Sequence, residues 1–290
     1  MDVAIDGGQT GLRLALASRG RVLEVTEVPG LAYAQGSPVD AVLERVECLL
    51  PDDADTVCLG LTTLLDSPEK LAARLLSVAR RVLITGDVVI SHAGAFSGGT
   101  GVVLAAGTGA IALGVCGSEV RQVDGWGFLY GDAGSGFWIG RRGLEAAWRG
   151  LDGRASRGAL TSRAVEVFGE PGGLYLAPDA VARVAGFARQ VFELAEHDGT
   201  ARGIVEEAGW ELARTVATAG HDFSSPVPVS WTGRLLRDAR LFAAFRTALA
   251  ELLPSARIQP PEGDGLAGAA RLAASAGLGS YAPLIQVMSR

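Results

Sequence analysis

Lysine is almost missing from this 290-residue chain, with Lys70 the only one. Lys70 sits in a Leu/Ala-rich stretch that reads as helix and follows no glycine loop. The pattern G-x-x-x-x-G-K-[ST] is therefore absent, which excludes a P-loop nucleotide site. No G-x-G-x-x-G opens a helix after the first strand, so the dinucleotide fingerprint is excluded too. Histidine is nearly as scarce, at three, and none is spaced with a cysteine or a second histidine as metal ligands are. Cys48, Cys58 and Cys116 are far apart in apolar segments. They read as small core hydrophobes of a reducing compartment, too dispersed to hold an iron–sulfur cluster. No apolar run approaches the length of a membrane span. A formal charge of −6 with no basic stripe argues against nucleic acid or an anionic membrane as partner. The first strand starts at residue 2, which leaves no signal peptide or N-terminal helix-turn-helix and leads to the expectation of a cytoplasmic protein.

What is present is a pair of similar turns about a hundred residues apart. Asp6-Gly7-Gly8-Gln9-Thr10 follows the apolar strand Val3–Ile5, and Gly107-Thr108-Gly109 separates the apolar runs Val102–Ala106 and Ala110–Val115. Glycine has no Cβ, so backbone N–H groups in such a turn can approach a polyphosphate closely, and threonine hydroxyls add donors. Asp6 supplies a carboxylate where a phosphate-bound Mg²⁺ would sit, with waters filling most of its shell. Two such turns facing each other would clamp phosphate between two related halves.

The rest of the chain fits two halves. Three strands, Val3–Ile5, Leu12–Ala17 and Val22–Val28, are joined by short turns. A helix over 38–50 follows, with Val39, Val42, Leu43, Val46, Leu49 and Leu50 on one stripe, then strand Thr56–Leu61. Ser67-Pro68-Glu69 starts a helix running to about Arg80, and Val82–Thr85 is a fifth strand. The order restarts at Val102 with two strands and a third near Glu119–Val123. A helical insertion from about residue 137 to 220 comes next, then strand Val227–Trp231, helix Leu235–Leu253, strand Ala256–Ile258 and helix Leu266–Ser275. The expected fold is α/β with two ribonuclease-H-like lobes, Met1–Thr100 and Gly101–Ala276, and a nucleotide cleft between them. Residues 277–290 are expected to pack back on the first lobe. Hydrophobic content of 48% is enough to fill two cores.

These motifs resemble a known superfamily. Asp6–Thr10 looks like the first phosphate motif of the acetate kinase/actin/Hsp70/sugar kinase group, and Leu104–Gly109 like the second. Gly125-Trp126-Gly127, Gly131-Asp132-Ala133-Gly134-Ser135-Gly136 and Trp138-Ile139-Gly140 are more particular. They resemble the N-acetylglucosamine kinase branch grouped with the BadF/BadG/BcrA/BcrD ATPases. The resemblance implies an actin-like ATPase fold, ATP and Mg²⁺ as cofactors, and phosphoryl transfer to the 6-hydroxyl of N-acetylglucosamine or glucosamine. The partners so implied are small molecules, and a homodimer is compatible with the sequence. The alternative is a sugar-responsive ATP-binding regulator or ATPase activator on the same fold.

Phosphoryl transfer to an alcohol needs an acceptor hydroxyl in line, a carboxylate to orient or deprotonate it, and charge neutralisation on the γ-phosphate. Asp87 follows strand Val82–Thr85 and opens a helix, where the catalytic-base and helix N-cap readings are compatible. It lies twenty residues before Gly107, the place the resemblance implies for the base. His92, on the same helix, either lines the sugar site, holds Asp87, or packs in the core. Asp132, in a glycine-flanked loop, can accept two sugar hydroxyls, and Trp126, followed by Gly127, can offer its face or indole N–H to a pyranose. The resemblance gives both to the hexosamine, and it places Gly233 and Arg234 against the adenosine. The related kinases carry a sugar-contacting Asn after the third strand. Here that loop reads Gly30-Leu31-Ala32-Tyr33-Ala34-Gln35-Gly36, leaving Tyr33 and Gln35 as replacements and altering recognition at C2.

Overall fold

The computed structural model describes residues 1–8, 11–30, 37–62 and 65–290. Three antiparallel strands open the chain: β1 (Asp2–Gly7), β2 (Gly11–Ser18) and β3 (Arg21–Pro29). Ser37 caps α1 (Pro38–Val46), which leads to β4 (Ala54–Leu61), paired parallel with β1. Ser67 likewise caps α2 (Pro68–Leu75), with Pro68 in the first turn as the sequence indicated. This helix stops before Arg80. Its last amides turn back on themselves, Ser77 N–H reaching Arg74 O at 3.1 Å, so that β5 (Ala79–Gly86) can begin beside β4. α3 (Asp87–Ala95) starts directly from β5.

The order then repeats. β6 (Gly101–Ala106), β7 (Ala110–Cys116) and β8 (Glu119–Asp124) precede four inserted helices, α4 (Gly136–Leu151), α5 (Ala159–Phe168), α6 (Ala180–Leu194) and α7 (Gly199–Gly220). β9 (Val227–Thr232), α8 (Ala239–Leu252), β10 (Ala256–Ile258), α9 (Gly265–Ala274) and β11 (Gln286–Ser289) complete the chain. The first sheet runs β11-β5-β4-β1-β2-β3 and the second β10-β9-β6-β7-β8. Without β11, each follows one ribonuclease-H-like pattern, third-second-first-fourth-fifth strand of its copy. The fold is the two-lobe α/β fold of actin-like ATPases, as the sequence indicated.

Two compact units divide the chain. The first comprises Met1–Val103, Leu113–Arg121 and Ile258–Arg290. Its core lies between the first sheet and helices α1 and α2, filled by Val3, Ile5, Leu12, Val42, Leu59, Leu71 and Leu75. The opposite sheet face packs on α9, which also lies against α3. The sequence division grouped α9 with the second lobe, whereas its contacts are with β1, β4 and α3. β11 adds antiparallel to β5, Val287 opposite Leu83. The second unit, Leu104–Ala112 with Gln122–Arg257, packs α4 on α6 and α7 on α8, with Phe187 and Phe245 buried at its centre.

The scarce residue types settle into structural roles. Cys58 is fully buried on β4, where burial pushes its thiol up to about 12. Cys48 is exposed instead of core, on the single helical turn after α1. Lys70 pairs with Asp40 at 2.9 Å on the surface.

Candidate active site

In the first unit the parallel strands β1, β4 and β5 end abreast. Leu61 stands beside Gly7 on one side and Gly86 on the other. Their carboxyl ends form one edge, the side on which open α/β sheets take ligands. The edge carries Asp6, Gly7 and Gly8 from the first phosphate motif and Asp87 from the start of α3. With neighbouring strands roughly 4.8 Å apart, β1 and β5 are about 10 Å apart here. Gly7 O accepts from Thr62 N at 3.0 Å and from Thr62 Oγ1 at 2.9 Å, while Gly8 N donates to Gly11 O at 2.9 Å. Gln9, Thr10 and Tyr33 lie outside the described residues.

Asp87 is half-buried and is the first residue of α3; the cap position is Gly86, so the N-cap reading does not hold. A carboxylate in the first turn of a helix faces the positive end of its dipole. Asp6, also half-buried, is held by Arg13, whose Nη2 lies 2.6 Å from Asp6 Oδ2. The second Arg13 nitrogen, Nη1, reaches Asp264 Oδ2 at 2.7 Å. Burial raises the Asp6 carboxyl above its ordinary range, Arg13 opposes that shift, and Asp264 adds to it. Among the described residues, no group of three or more His, Cys, Asp or Glu is placed to hold a metal ion. A single carboxylate at the end of β1 fits Mg²⁺ in one mode only, as a minor ligand to an ion held chiefly by phosphate oxygens and water.

His92 departs from the sugar-site expectation. Its ring is fully buried in the first unit, with Nδ1 2.7 Å from Tyr281 Oη and Nε2 2.9 Å from Gly101 O. A neutral imidazole satisfies both contacts, with Nε2–H donating to the carbonyl and Nδ1 accepting from the phenol. Burial pushes its pKa down to about 4. Phe96 and Tyr281 pack on the ring at centroid distances of 4.9 and 5.7 Å. His92 is a packing residue that fixes α3 from behind.

In the second unit, Gly107-Thr108-Gly109 forms the turn between β6 and β7, closed by Gly107 N to Gly109 O at 2.9 Å. The first turn of α4 grips it. Gly136 N donates to Gly107 O at 2.9 Å and Phe137 N to Thr108 O at 3.0 Å. Ser135, fully buried, caps the same helix by accepting from Trp138 N at 3.2 Å. The glycine-rich segment after β8 is thereby built onto the turn.

Asp132 makes that connection tighter. Its Oδ1 accepts from Ala110 N at 3.2 Å, and a Cβ on Gly109 would stand 2.8 Å from its Oδ2. The carboxylate braces the Gly107–Gly109 turn from the side, and burial raises its proton affinity, with Asp124 nearby adding to the shift. Asp124 was not singled out from sequence. Its two oxygens accept from Asp132 N at 2.8 Å and Ala133 N at 3.0 Å. Trp126 projects from this loop 73% exposed, its ring open to a ligand, and Gly127 O anchors the turn by accepting from Gly131 N at 2.8 Å.

Gly233 follows β9 with φ +89°, and a Cβ there would lie 2.1 Å from Ala106 O. It therefore packs on the last residue of β6, next to the Gly107–Gly109 turn, and Arg234 beside it is exposed. In this unit the structure brings Gly107–Gly109, Asp132 and Gly233 to one place, as it brings Asp6–Gly8 and Asp87 together in the other.

The chain is similar to known proteins over most of its length. The profile of the BadF/BadG/BcrA/BcrD ATPase family matches residues 14–273. A curated N-acetylmuramic acid/N-acetylglucosamine kinase of Clostridium acetobutylicum is 33% identical over 89 residues, covering 30% of this chain and 29% of that protein. The matched stretch thus spans under a third of that relative. Among solved structures, a proposed N-acetylglucosamine kinase from Chromobacterium violaceum is 26% identical, with TM-score 0.74 over 94% of this chain and 98% of that one. The ROK hexokinase of Thermus thermophilus shares the fold at 17% identity, with TM-score 0.59 over 93% and 97% of the two chains.

Proposed function

This chain belongs to the BadF/BadG/BcrA/BcrD ATPase family, and on that premise we propose that it is an ATP- and Mg²⁺-dependent amino-sugar kinase of the cytoplasm. The substrate proposed is N-acetylglucosamine or glucosamine, phosphorylated at the 6-hydroxyl. One observation carries the reading. Leu61 lies between Gly7 and Gly86, so the acid-bearing phosphate motif and Asp87 share one carboxyl-terminal sheet edge about two strand spacings apart. A nucleotide switch needs the phosphate motif; it has no use for a second carboxylate held at that edge.

In this reading the phosphates lie over the Gly7–Gly8 and Gly107–Gly109 turns, where the missing Cβ atoms allow close approach, and the Thr108 hydroxyl adds a donor. Asp87 accepts the proton of the sugar hydroxyl as its oxygen bonds to the γ-phosphorus. The bond from that phosphorus to the β,γ-bridging oxygen breaks, and ADP leaves. Mg²⁺, when bound near Asp6, neutralises charge on the phosphate oxygens. Trp126 offers an exposed ring face to the pyranose, and Asp132 fixes the second turn. Gly233, packed on Ala106 at the end of β6, and Arg234 beside it lie against the adenosine.

The test is a panel of glucose, glucosamine, N-acetylglucosamine, N-acetylmannosamine and N-acetylmuramate with Mg-ATP, scored by kcat/KM, with the phosphorylated carbon read by NMR. The proposal expects a C2-nitrogen sugar to lead and the phosphate to appear on C6. A site built to hydrogen-bond a group rejects analogues that lack it. Glucose outrunning both glucosamine and N-acetylglucosamine would contradict the substrate class.

A further inference from the structure

We propose that Arg13 is a positioning residue that joins Asp6, at the nucleotide end of β1, to Asp264 at the head of α9, and through α9 to the helix that begins with Asp87. The inference rests on the kinase reading for the roles of Asp6 and Asp87 and goes beyond it in naming what holds them in mutual register. Asp6 and Arg13 are directly opposed across the β1–β2 hairpin, so their side chains leave the sheet on one face. One guanidinium then reaches two carboxylates, Asp6 Oδ2 at 2.6 Å and Asp264 Oδ2 at 2.7 Å. Asp264 is itself fixed, because its Oδ1 caps α9 by accepting from Ala267 N at 3.0 Å.

The connection continues into α3. A Cβ at Gly268 would stand 1.8 Å from Ile90 O, and one at Gly94 would stand 2.1 Å from Asp264 O, so the two helices touch backbone to backbone. Arg271 closes the contact, its Nη1 donating to Ala93 O at 3.0 Å and Gly94 O at 2.8 Å. α3 and α9 therefore move as one body, with Asp87 at the start of α3. Arg13 couples that body to the strand bearing Asp6. Partly exposed ion pairs contribute little to stability, so the function of this bridge is placement. A lysine could not replace it, since a single ammonium lacks the planar fork that serves two acceptors in different directions.

The test measures Mg-ADP affinity by calorimetry for wild type, Arg13→Gln, Arg13→Lys, Asp264→Asn and the Arg13→Gln/Asp264→Asn pair, with kcat and KM for Mg-ATP alongside. Asparagine retains helix-capping ability, so Asp264→Asn breaks the bridge while keeping α9 and remains informative if Arg13→Gln folds poorly. Arg13→Gln and Asp264→Asn should each weaken Mg-ADP binding by about tenfold and lower kcat/KM by about 10- to 100-fold, the scale of small misplacements. Arg13→Lys should recover little, and the double variant should be no worse than Arg13→Gln. Unchanged affinity in the single variants, full rescue by lysine, or multiplying effects in the double variant would each overturn the proposal. Wild-type protein that binds Mg-ADP but phosphorylates no sugar would sink the kinase reading alone. Wild type that fails to bind Mg-ADP would sink both.

Discussion

Asp132 occupies the space that a side chain at position 109 would need, its Oδ2 lying 2.8 Å from where a Gly109 Cβ would stand. Glycine at position 109 is thus required by a neighbouring side chain. Gly109→Ala is expected to push the carboxylate off Ala110 N and to deform the turn that α4 grips. Calorimetric titration with ADP should show affinity falling at least about tenfold, a loss of one charge-assisted contact's worth. Unaltered affinity would mean that the turn does not hold the nucleotide.

Gly233→Ala should act on stability first. The residue has φ +89°, and a Cβ would lie 2.1 Å from Ala106 O, so both the local backbone and the end of β6 would have to shift. Denaturant unfolding is expected to show a loss of about 2 kcal/mol or more, the range for strain at a left-handed position combined with a backbone clash. A change within about 0.5 kcal/mol, typical of a neutral surface site, would contradict the close packing of β9's end on β6.

His92 should make the protein acid-sensitive before its carboxylates do. Its pKa falls from an ordinary 6.5 to about 4 because burial disfavours the imidazolium. Above pH 6.5 both folded and unfolded chains hold it neutral, and it costs nothing. Below 6.5 the unfolded chain takes up the proton and the folded chain does not, so stability drops until about pH 4, by on the order of 3 kcal/mol. Asp6 and Asp132, raised by burial, work in the opposite sense as pH approaches the carboxylate range, because the folded state takes up their protons first. Comparing denaturation of wild type and His92→Asn across pH 4–7 isolates the histidine. The variant should be less stable at pH 7 and lose less on acidification. Parallel curves for the two proteins would contradict a buried neutral imidazole.

Much of this was legible in the chain. Period-two alternation gave the strands of the first hairpin, and Ser67-Pro68 marked the start of α2, because caps and strand faces are local properties. The Gly7–Gly8 and Gly107–Gly109 turns and Asp87 do lie at strand ends, where chain direction fixes their placement. Less visible was what holds these groups. Arg13 looks like an ordinary outward residue of an alternating strand until the hairpin register opposes it to Asp6, and its other partner, Asp264, is 251 residues away. Asp124 holds the end of the Trp126–Asp132 loop and Ser135 caps α4, both through backbone amides, which no side-chain pattern announces. For His92 the sequence leaves the sugar site, Asp87 and the core open, and the fold decides for the core. Five residues along a helix is more than one turn, and α3 buries that face against Tyr281 from the far end of the chain. The reach of α9 to the first sheet was hidden for a like reason: it is a contact between ends of the sequence.

In the proposed mechanism Asp87 deprotonates a sugar hydroxyl for its attack on the γ-phosphorus of ATP. ADP formation from Mg-ATP, measured with and without N-acetylglucosamine or glucosamine for wild type and Asp87→Asn, tests it most directly. Sugar should stimulate turnover in the wild type, and Asp87→Asn should lower kcat at least about a hundredfold, the scale of a positioned general base, while sugar and nucleotide still bind. Turnover that no sugar stimulates, or an Asp87→Asn protein with full phosphoryl transfer, would contradict it.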